Sequence, residues 1–573
     1  MITLNNINLS SIDLSGIDLR GIKLGLGGRG GGSSDGFPVL PGDVTRWHFG
    51  GLTNEMMAAM DDPRIEDADG KGRFLSFKNF AWGGMSGVGG YVQNFNYFRN
   101  NATVDKVRID EQSSNSIKVT LLTSGMGHVI YIPKDVYQFN KSYFIKISSE
   151  GYNEGDLFLS FYAPSTSTAT TVKVPLNPNG ITEIPAIKED DFLAVYLFNA
   201  AGKVGSITIE QLPLYPGALV FDGVDDYGTC DNFPILTKEK GYTVIALRQR
   251  ISMGEGISGL VSNAKNWFKD GAFVLEYSYT KNSYFNRPVS FGAIGSEKDL
   301  PHILTYQTSK SYNGVSIAVG SFIGTDQLYV GKINNIIENC TNAAIWELVI
   351  LDHDATEEEL TKIKDYFVKT YPWLFPDQAW TVVGKTNEDE DRATIANITG
   401  NGNDLVLSNF GFAEGSGYNE QGEYAGYLVT DGVDDKIVSS IFGMGKDFTI
   451  VGDWKFIDNK KSGTGLVKGS SFYIYNTMIG LDLYINSGSV KNSLDGIKSI
   501  NAACSDGRAY DRNWNEILAN TGNVVGSGGM LEVSSSGGRF DRIAFKNLAI
   551  YPRILSKDDC IKAYNYLQTL KAK

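Results

Sequence analysis

FDGVDD, Phe221 to Asp226, and TDGVDD, Thr430 to Asp435, are one turn written twice at an offset of 209 residues. Asp-Gly marks a tight turn, because glycine takes the positive φ the turn needs and an Asp side chain holds nearby backbone donors. Each turn follows a short β-favouring run, Leu219-Val220-Phe221 in one copy and Tyr427-Leu428-Val429 in the other. Each copy therefore reads as strand, then turn.

Two further pairs of segments extend the match. DADGKGRFLSFKNFAW aligns with NITGNGNDLVLSNFGF without a gap at an offset of 330, placing Gly70 on Gly400, Leu75 on Leu405, Asn79 on Asn409 and Phe80 on Phe410. ELVILDHDATEEELTKIKDYF (347–367) aligns with NLAIYPRILSKDDCIKAYNYL (547–567) at an offset of 200. Three matched segments in one order indicate a duplicated unit. The fall from 330 to 209 means that the first copy holds 121 more residues between its opening segment and its turn. That surplus contains KVRI, SIKVTLL, HVIYI, YFIKISS, LFLSFYA and SITIEQL, β patterns spaced as in a sandwich. The expected plan is a first domain of residues 44–94 plus 216–376, an inserted sandwich at 95–215, and a second domain at 377–573. Each copy ends on one amphipathic helix that should lie as a lid on a sandwich face. Thr356 with Glu359 forms a capping box in the first, and Ser556 with Asp559 stands at the same phase in the second.

Ahead of these units, Ile2 and Leu4, Ile7 and Leu9, Ile12 and Leu14, Ile17 and Leu19, and Ile22 and Leu24 repeat with a period of five. That period fits neither a helix face nor one long strand. A two-residue apolar bite followed by a turn is the grammar of an interwound or solenoidal β element, expected to bury against sister chains or a larger assembly as an anchor over residues 1–24. The glycine-rich stretch 25–43 reads as a linker.

Composition narrows the function. A net charge of −13 argues against nucleic acid and anionic membranes as partners. No apolar run is long enough to span a bilayer, so no membrane insertion is expected. The start, MITLNNINLSSIDL, has no signal-peptide pattern, which disfavours Sec export. The scattered Cys230, Cys340, Cys504 and Cys560 read as free thiols of a chain that folds in cytoplasm.

Catalytic signals are weak, and the chain reads as a non-enzyme without a cofactor. Jelly-roll glycanases need two strand-borne carboxylates, and no E-x-D-x-x-E signature is present. NEDEDR (387–392) reads as a solvated loop, and His48, His128, His302 and His353 have no metal-ligand spacing. Asp222, Asp225 and Asp226, with Asp431, Asp434 and Asp435, could offer oxygens to Ca²⁺, but turn-building is the favoured reading. Two aromatic, polar loops are candidate sugar sites, since pyranose faces stack on rings while polar groups bond hydroxyls. One loop carries Tyr277, Tyr279, Tyr284, Phe285 and Arg287; the other, favoured as the more distal, carries Asp506, Arg508, Tyr510, Arg512, Trp514 and Asn515.

GALVFDGVDDYG (217–228) and GYLVTDGVDDKI (426–437) resemble the opening strand and turn of bacterial concanavalin A-like, laminin-G-like jelly rolls. TGNGNDLVLSNF resembles that family's leader, and NLAIYPRILSKDDCIKAYNYL its closing strand and helix. The resemblance implies a mainly β protein: two such sandwiches closed by C-terminal helices, one of them split by a guest sandwich. It does not imply an activity, because this jelly roll hosts lectins, glycanases and structural domains. The whole plan, periodic leader, glycine joint and jelly rolls, resembles a tailed-phage fibre or tail appendage in the style of crAss-like phages of Bacteroidales. That implies a virion structural protein assembled in host cytoplasm, joined by its N-terminus to other virion proteins. It also implies a homo-oligomer, with a trimer favoured, that presents sandwiches to host-surface glycan. Two other readings are a bacterial surface glycan-binding module or glycanase, and a virion connector that binds only virion proteins.

Overall fold

The computed structural model describes residues 35–572, except 126, 165–168, 253–256, 265–270, 279–283, 289–302, 317–321, 336–337, 421, 423, 444, 459–463, 469–471, 477–479, 486–492, 496–499, 519–527, 534, 537–538 and 541. The Ile-x-Leu repeat, Ile2 to Leu24, therefore lies outside the described residues. Strands hold 43% of the structure and helices 9%, so the mainly β reading stands.

The first sandwich is organised around β1 (Val44–His48), β2 (Leu219–Asp222), β3 (Thr243–Ser252) and β4 (Asn342–Leu351), closed by helix α1 (Glu357–Thr370). β4 has β3 along one side. On its other side β2 and β1 lie end to end, β2 against Asn342–Ile345 and β1 against Glu347–Leu351. This eight-stranded sheet faces a seven-stranded one that includes Phe74–Lys78, Tyr227–Cys230 and Leu328–Val330.

The second copy repeats the design with β5 (Gln378–Thr381), β6 (Tyr427–Val429), β7 (Thr449–Asp458), β8 (Ile500–Cys504), β9 (Arg508–Asp511), β10 (Arg542–Tyr551) and helix α2 (Lys557–Gln568). β10 takes β7 on one side and β5 and β6 on the other. Even the irregularity recurs: a bulge sets Trp346 and Glu347 against Leu247 in one copy, and Lys546 and Asn547 against Asp453 in the other. The buried Trp47 indole donates to the Arg73 carbonyl, and the Trp380 indole to the Asn403 carbonyl, its counterpart at an offset of 330.

Between β1 and β2 the chain makes two five-stranded antiparallel sheets around a core of Val119, Ile132, Leu159, Leu197 and Ile209. The ends of this excursion run side by side: Leu214 N–H donates to Gly90 O at 2.9 Å and Tyr215 N–H to Gly89 O at 2.8 Å. A guest whose ends meet at the host surface can be carried without opening the host core.

The closing helices are more than lids. Along β4, Ala343, Ile345, Leu348 and Ile350 point into the first sandwich, while Ala344, Trp346, Val349 and Leu351 point out of it. The outward set meets α1, α2 and the outward side chains of the second sandwich, Val451, Ala502, Ala549 and Tyr551, in one shared core. Equivalent positions enter from both copies: Val349 and Ala549, Leu351 and Tyr551, Ile363 and Ala563, Phe367 and Leu567. Phe144 and Ile181 of the inserted sandwich join the same core. The continuous apolar run of β4 is thus explained, because a strand buried on both faces has no polar side.

Residues 35–43 depart from the linker expectation, because they are docked. Phe37 is buried with its ring 4.3 Å from the Arg46 guanidinium and edge-on to Tyr366 at 5.1 Å. Asp35 accepts a 2.6 Å hydrogen bond from Arg46. Burying an aromatic ring and pairing a buried cation outweigh the loss of chain freedom there.

Candidate binding cleft

The acidic turns are built alike. Asp222 Oδ1 accepts from Val224 N at 2.8 Å, and Asp226 Oδ2 accepts from Asp222 N at 3.0 Å. Ser86 Oγ donates to Asp226 Oδ1 at 2.9 Å, and Asn79 donates to the Asp225 carbonyl at 3.1 Å. In the second copy Asp431, Asp435, Ser416 and Asn409 make the same bonds. Burial pushes the Asp226 carboxyl up to about 7 and the Asp435 carboxyl up to about 6. Each Asp triad brings its oxygens within 4.8 Å of one another, close enough for a cation. Those oxygens also hold the turn and, through Ser86 and Ser416, whose hydroxyls accept from the Ala81 and Gly411 N–H groups, tie it to the backbone there. This is the work that the turn-building reading requires.

A second polar cluster was not read from the sequence. The bulge in β4 turns Trp346 and Glu347 to the same outer face, where Glu347 is fully buried. Its carboxylate lies 2.7 Å from His48 Nδ1, accepts from the Tyr366 and Tyr371 hydroxyls at 2.9 and 3.2 Å, and meets Arg46 at 3.5 Å. Burial, then the neighbouring carboxylate, raises both phenols, which keeps them neutral donors. The visible signal is the lone carboxylate in AAIWELVIL. In the second copy its place is taken by Asn547.

The structure places the favoured aromatic loop differently from expectation. Tyr510 and Trp514 are 0% and 2% exposed, so neither ring offers a face for stacking. Trp514 packs edge-on to Tyr564 of α2 at 5.6 Å, and Phe144 of the inserted sandwich meets Tyr564 at 5.3 Å. Trp514 takes φ +60, held by Asp511 Oδ1, which accepts from the backbone N–H of Asn513 and Asn515. Arg512 donates to Glu183 of the inserted sandwich at 2.9 Å. Arg508 pairs with Asp506 at 2.6 Å and donates to the Leu555 carbonyl. The loop is a wedge between domains, so aromatics expected to meet a sugar are spent on the shared core. In the other loop, Phe273–Ser278 and Tyr284–Pro288 pair at the edge of the seven-stranded sheet, bringing Tyr284 opposite Ser278 and Arg287 opposite Val274. Tyr279 and the side chains of Tyr284 and Arg287 lie outside the described residues.

The wedge leaves an open cleft of ≈ 470 Å³ where the inserted sandwich meets the second. That volume is typical of small-ligand sites. Leu212, Pro213, Ile561 and the largely buried Trp514 supply its apolar lining. Lys146, Ser148 and Asn179 of the inserted sandwich line one wall. Asn513 and Asn515, with Lys557, Asp558 and Lys562 of α2, line the other. An apolar lining with convergent amides, a carboxylate and ammonium groups can seat a polar ligand by hydrogen bonds rather than by ring stacking.

No protein-family model and no curated protein sequence matches the chain. Among solved structures it is similar to a Trypanosoma rangeli sialidase in complex with sialic acid, at 11% identity over 84% of this chain and 97% of that chain, with a TM-score of 0.22. The binding domain of botulinum neurotoxin serotype D matches at 10% identity over 60% and 90%, TM-score 0.24. A tandem CBM22-1–CBM22-2 domain of Paenibacillus barcinonensis Xyn10C matches at 10% over 47% and 97%, TM-score 0.16. These are β-rich neighbours, and likeness at this level brings neither residues nor chemistry to the chain.

Proposed function

We propose that the chain is a non-catalytic attachment protein, a fibre or tail-appendage subunit of a phage particle. Its N-terminal repeat joins other virion proteins, and its fused sandwiches recognise host-surface glycan. The observation that carries the recognition reading is the cleft. Three sandwiches share one core, and where two of them diverge they leave a fixed, solvent-open site rimmed by amide and charged groups. The virion part rests on the sequence plan, a periodic Ile-x-Leu leader and a glycine joint ahead of jelly rolls. A weak site suffices for such a role, since several copies on one particle raise avidity roughly 10²–10⁴-fold.

The test is binding of the full chain to host cells and to arrayed host glycans, with Asn179→Ala/Asn513→Ala as the cleft variant. Loss of binding with an unchanged melting temperature is the expected outcome. Wild-type binding in that variant removes the cleft from the reading. Release of shortened glycan on incubation would sink the non-catalytic part.

A further inference from the structure

We propose that the cleft selects a saccharide carrying an anionic group, held between Lys146 and Lys557. The inference rests on the recognition reading above and names the ligand class for that site.

The chain carries a net charge of −13, yet the charged residues lining the cleft are three lysines and one aspartate. Lys562 is committed elsewhere, 3.6 Å from Asp559 and 4.3 Å above the Trp373 ring. The nearby Arg512 is matched by Glu183. Lys146 and Lys557 differ. Both are exposed, they come from opposite walls, and neither has an ion-pair partner among the described residues. With Glu210 cross-strand from Lys146 and Asp558 beside Lys557, the lining still carries three lysines against one aspartate, a local positive excess in an otherwise acidic protein. Low-dielectric walls screen the field of such an excess less than open water does.

The remaining groups point to a sugar rather than a bare anion. The volume exceeds what one carboxylate or sulfate fills. The Asn179 and Asn513 amides and the Asp558 carboxylate supply the mixed donors and acceptors that ring hydroxyls require. Because Trp514 is only 2% exposed, discrimination by charge replaces discrimination by stacking.

The full chain should be titrated with three acidic probes, sialyllactose, a galacturonate oligomer and a sulfated heparin tetrasaccharide. Each is paired with a neutral counterpart: lactose, the methyl ester and the desulfated tetrasaccharide. At least one acid is expected to bind at least tenfold more tightly than its partner. That preference should fall in Lys146→Ala and in Lys557→Ala, vanish in the double variant, and weaken between 50 and 500 mM NaCl, all without a change in melting temperature. Neutral counterparts that bind as well as the acids, or lysine variants that keep the preference, overturn the charge assignment and leave glycan recognition standing. Absence of any saccharide binding overturns both, and binding of single-stranded DNA with the same lysine dependence overturns the saccharide class.

Discussion

Glu347 is the one carboxylate in a strand of Ala, Ile, Trp, Leu and Val, and four side chains converge on it. Removing one partner of a buried charged network leaves the others desolvated without compensation. Glu347→Ala is expected to lower stability by about 3 kcal/mol, with Glu347→Gln losing less because an acceptor remains. Urea unfolding checks this, and a loss below about 0.5 kcal/mol contradicts the role. The sequence shows this residue as an anomaly, but Arg46 arrives from 301 positions away, so its partners are not legible there. The same limit applies to Tyr510 and Trp514. Aromatic and polar residues in a turn have one composition whether the rings meet a sugar or another domain, and only packing separates the two.

At the scale of elements, the DGVDD turns show why the duplication could be read. Asn79 and Asn409 hold φ of 67° and 68°, a region that Asn tolerates better than most residues, and both amides brace the same turn carbonyl. A backbone constraint of that kind preserves residue identity where packing alone would let it vary. The paired caps of α1 and α2 follow the same logic: Thr356 accepts from Glu359 N and Ser556 from Asp559 N. The bulges in β4 and β10 left no such mark, because a bulge of non-glycine residues has no required side chain. The turns also titrate. A carboxyl raised in the folded state above its unfolded value of about 4 contributes stability that is fully present below that value and lost as pH rises through the folded one. Asp226 and Asp435 therefore make the fold less stable as pH climbs from 4 toward about 7 and about 6 respectively. The Asp226→Asn/Asp435→Asn variant should show a flatter denaturation midpoint between pH 5 and pH 8, whatever its absolute stability. An unchanged slope counts against protonated turns.

For the whole molecule, the deciding contact is between the two copies. The outer faces of the sheets built on β4 and β10, with α1 and α2, form one core, and Tyr551 Oη donates to the Trp373 carbonyl across the junction at 2.9 Å. A strand apolar on both sides is visible in sequence; which surface covers it is not. Residues 377–573 expressed alone would expose Val451, Ala549, Tyr551 and one side of α2. The isolated copy is expected to dimerise or aggregate in analytical ultracentrifugation, and a stable monomer at 50 µM would contradict the shared core. The contact draws on equivalent positions of both copies, Val349 with Ala549 and Leu351 with Tyr551, so each copy covers the apolar outer face of the other. Once each face is covered by the other, a third tandem copy would have to dock through a different surface, whereas a loop such as that between β1 and β2 can carry added mass on chain ends that meet.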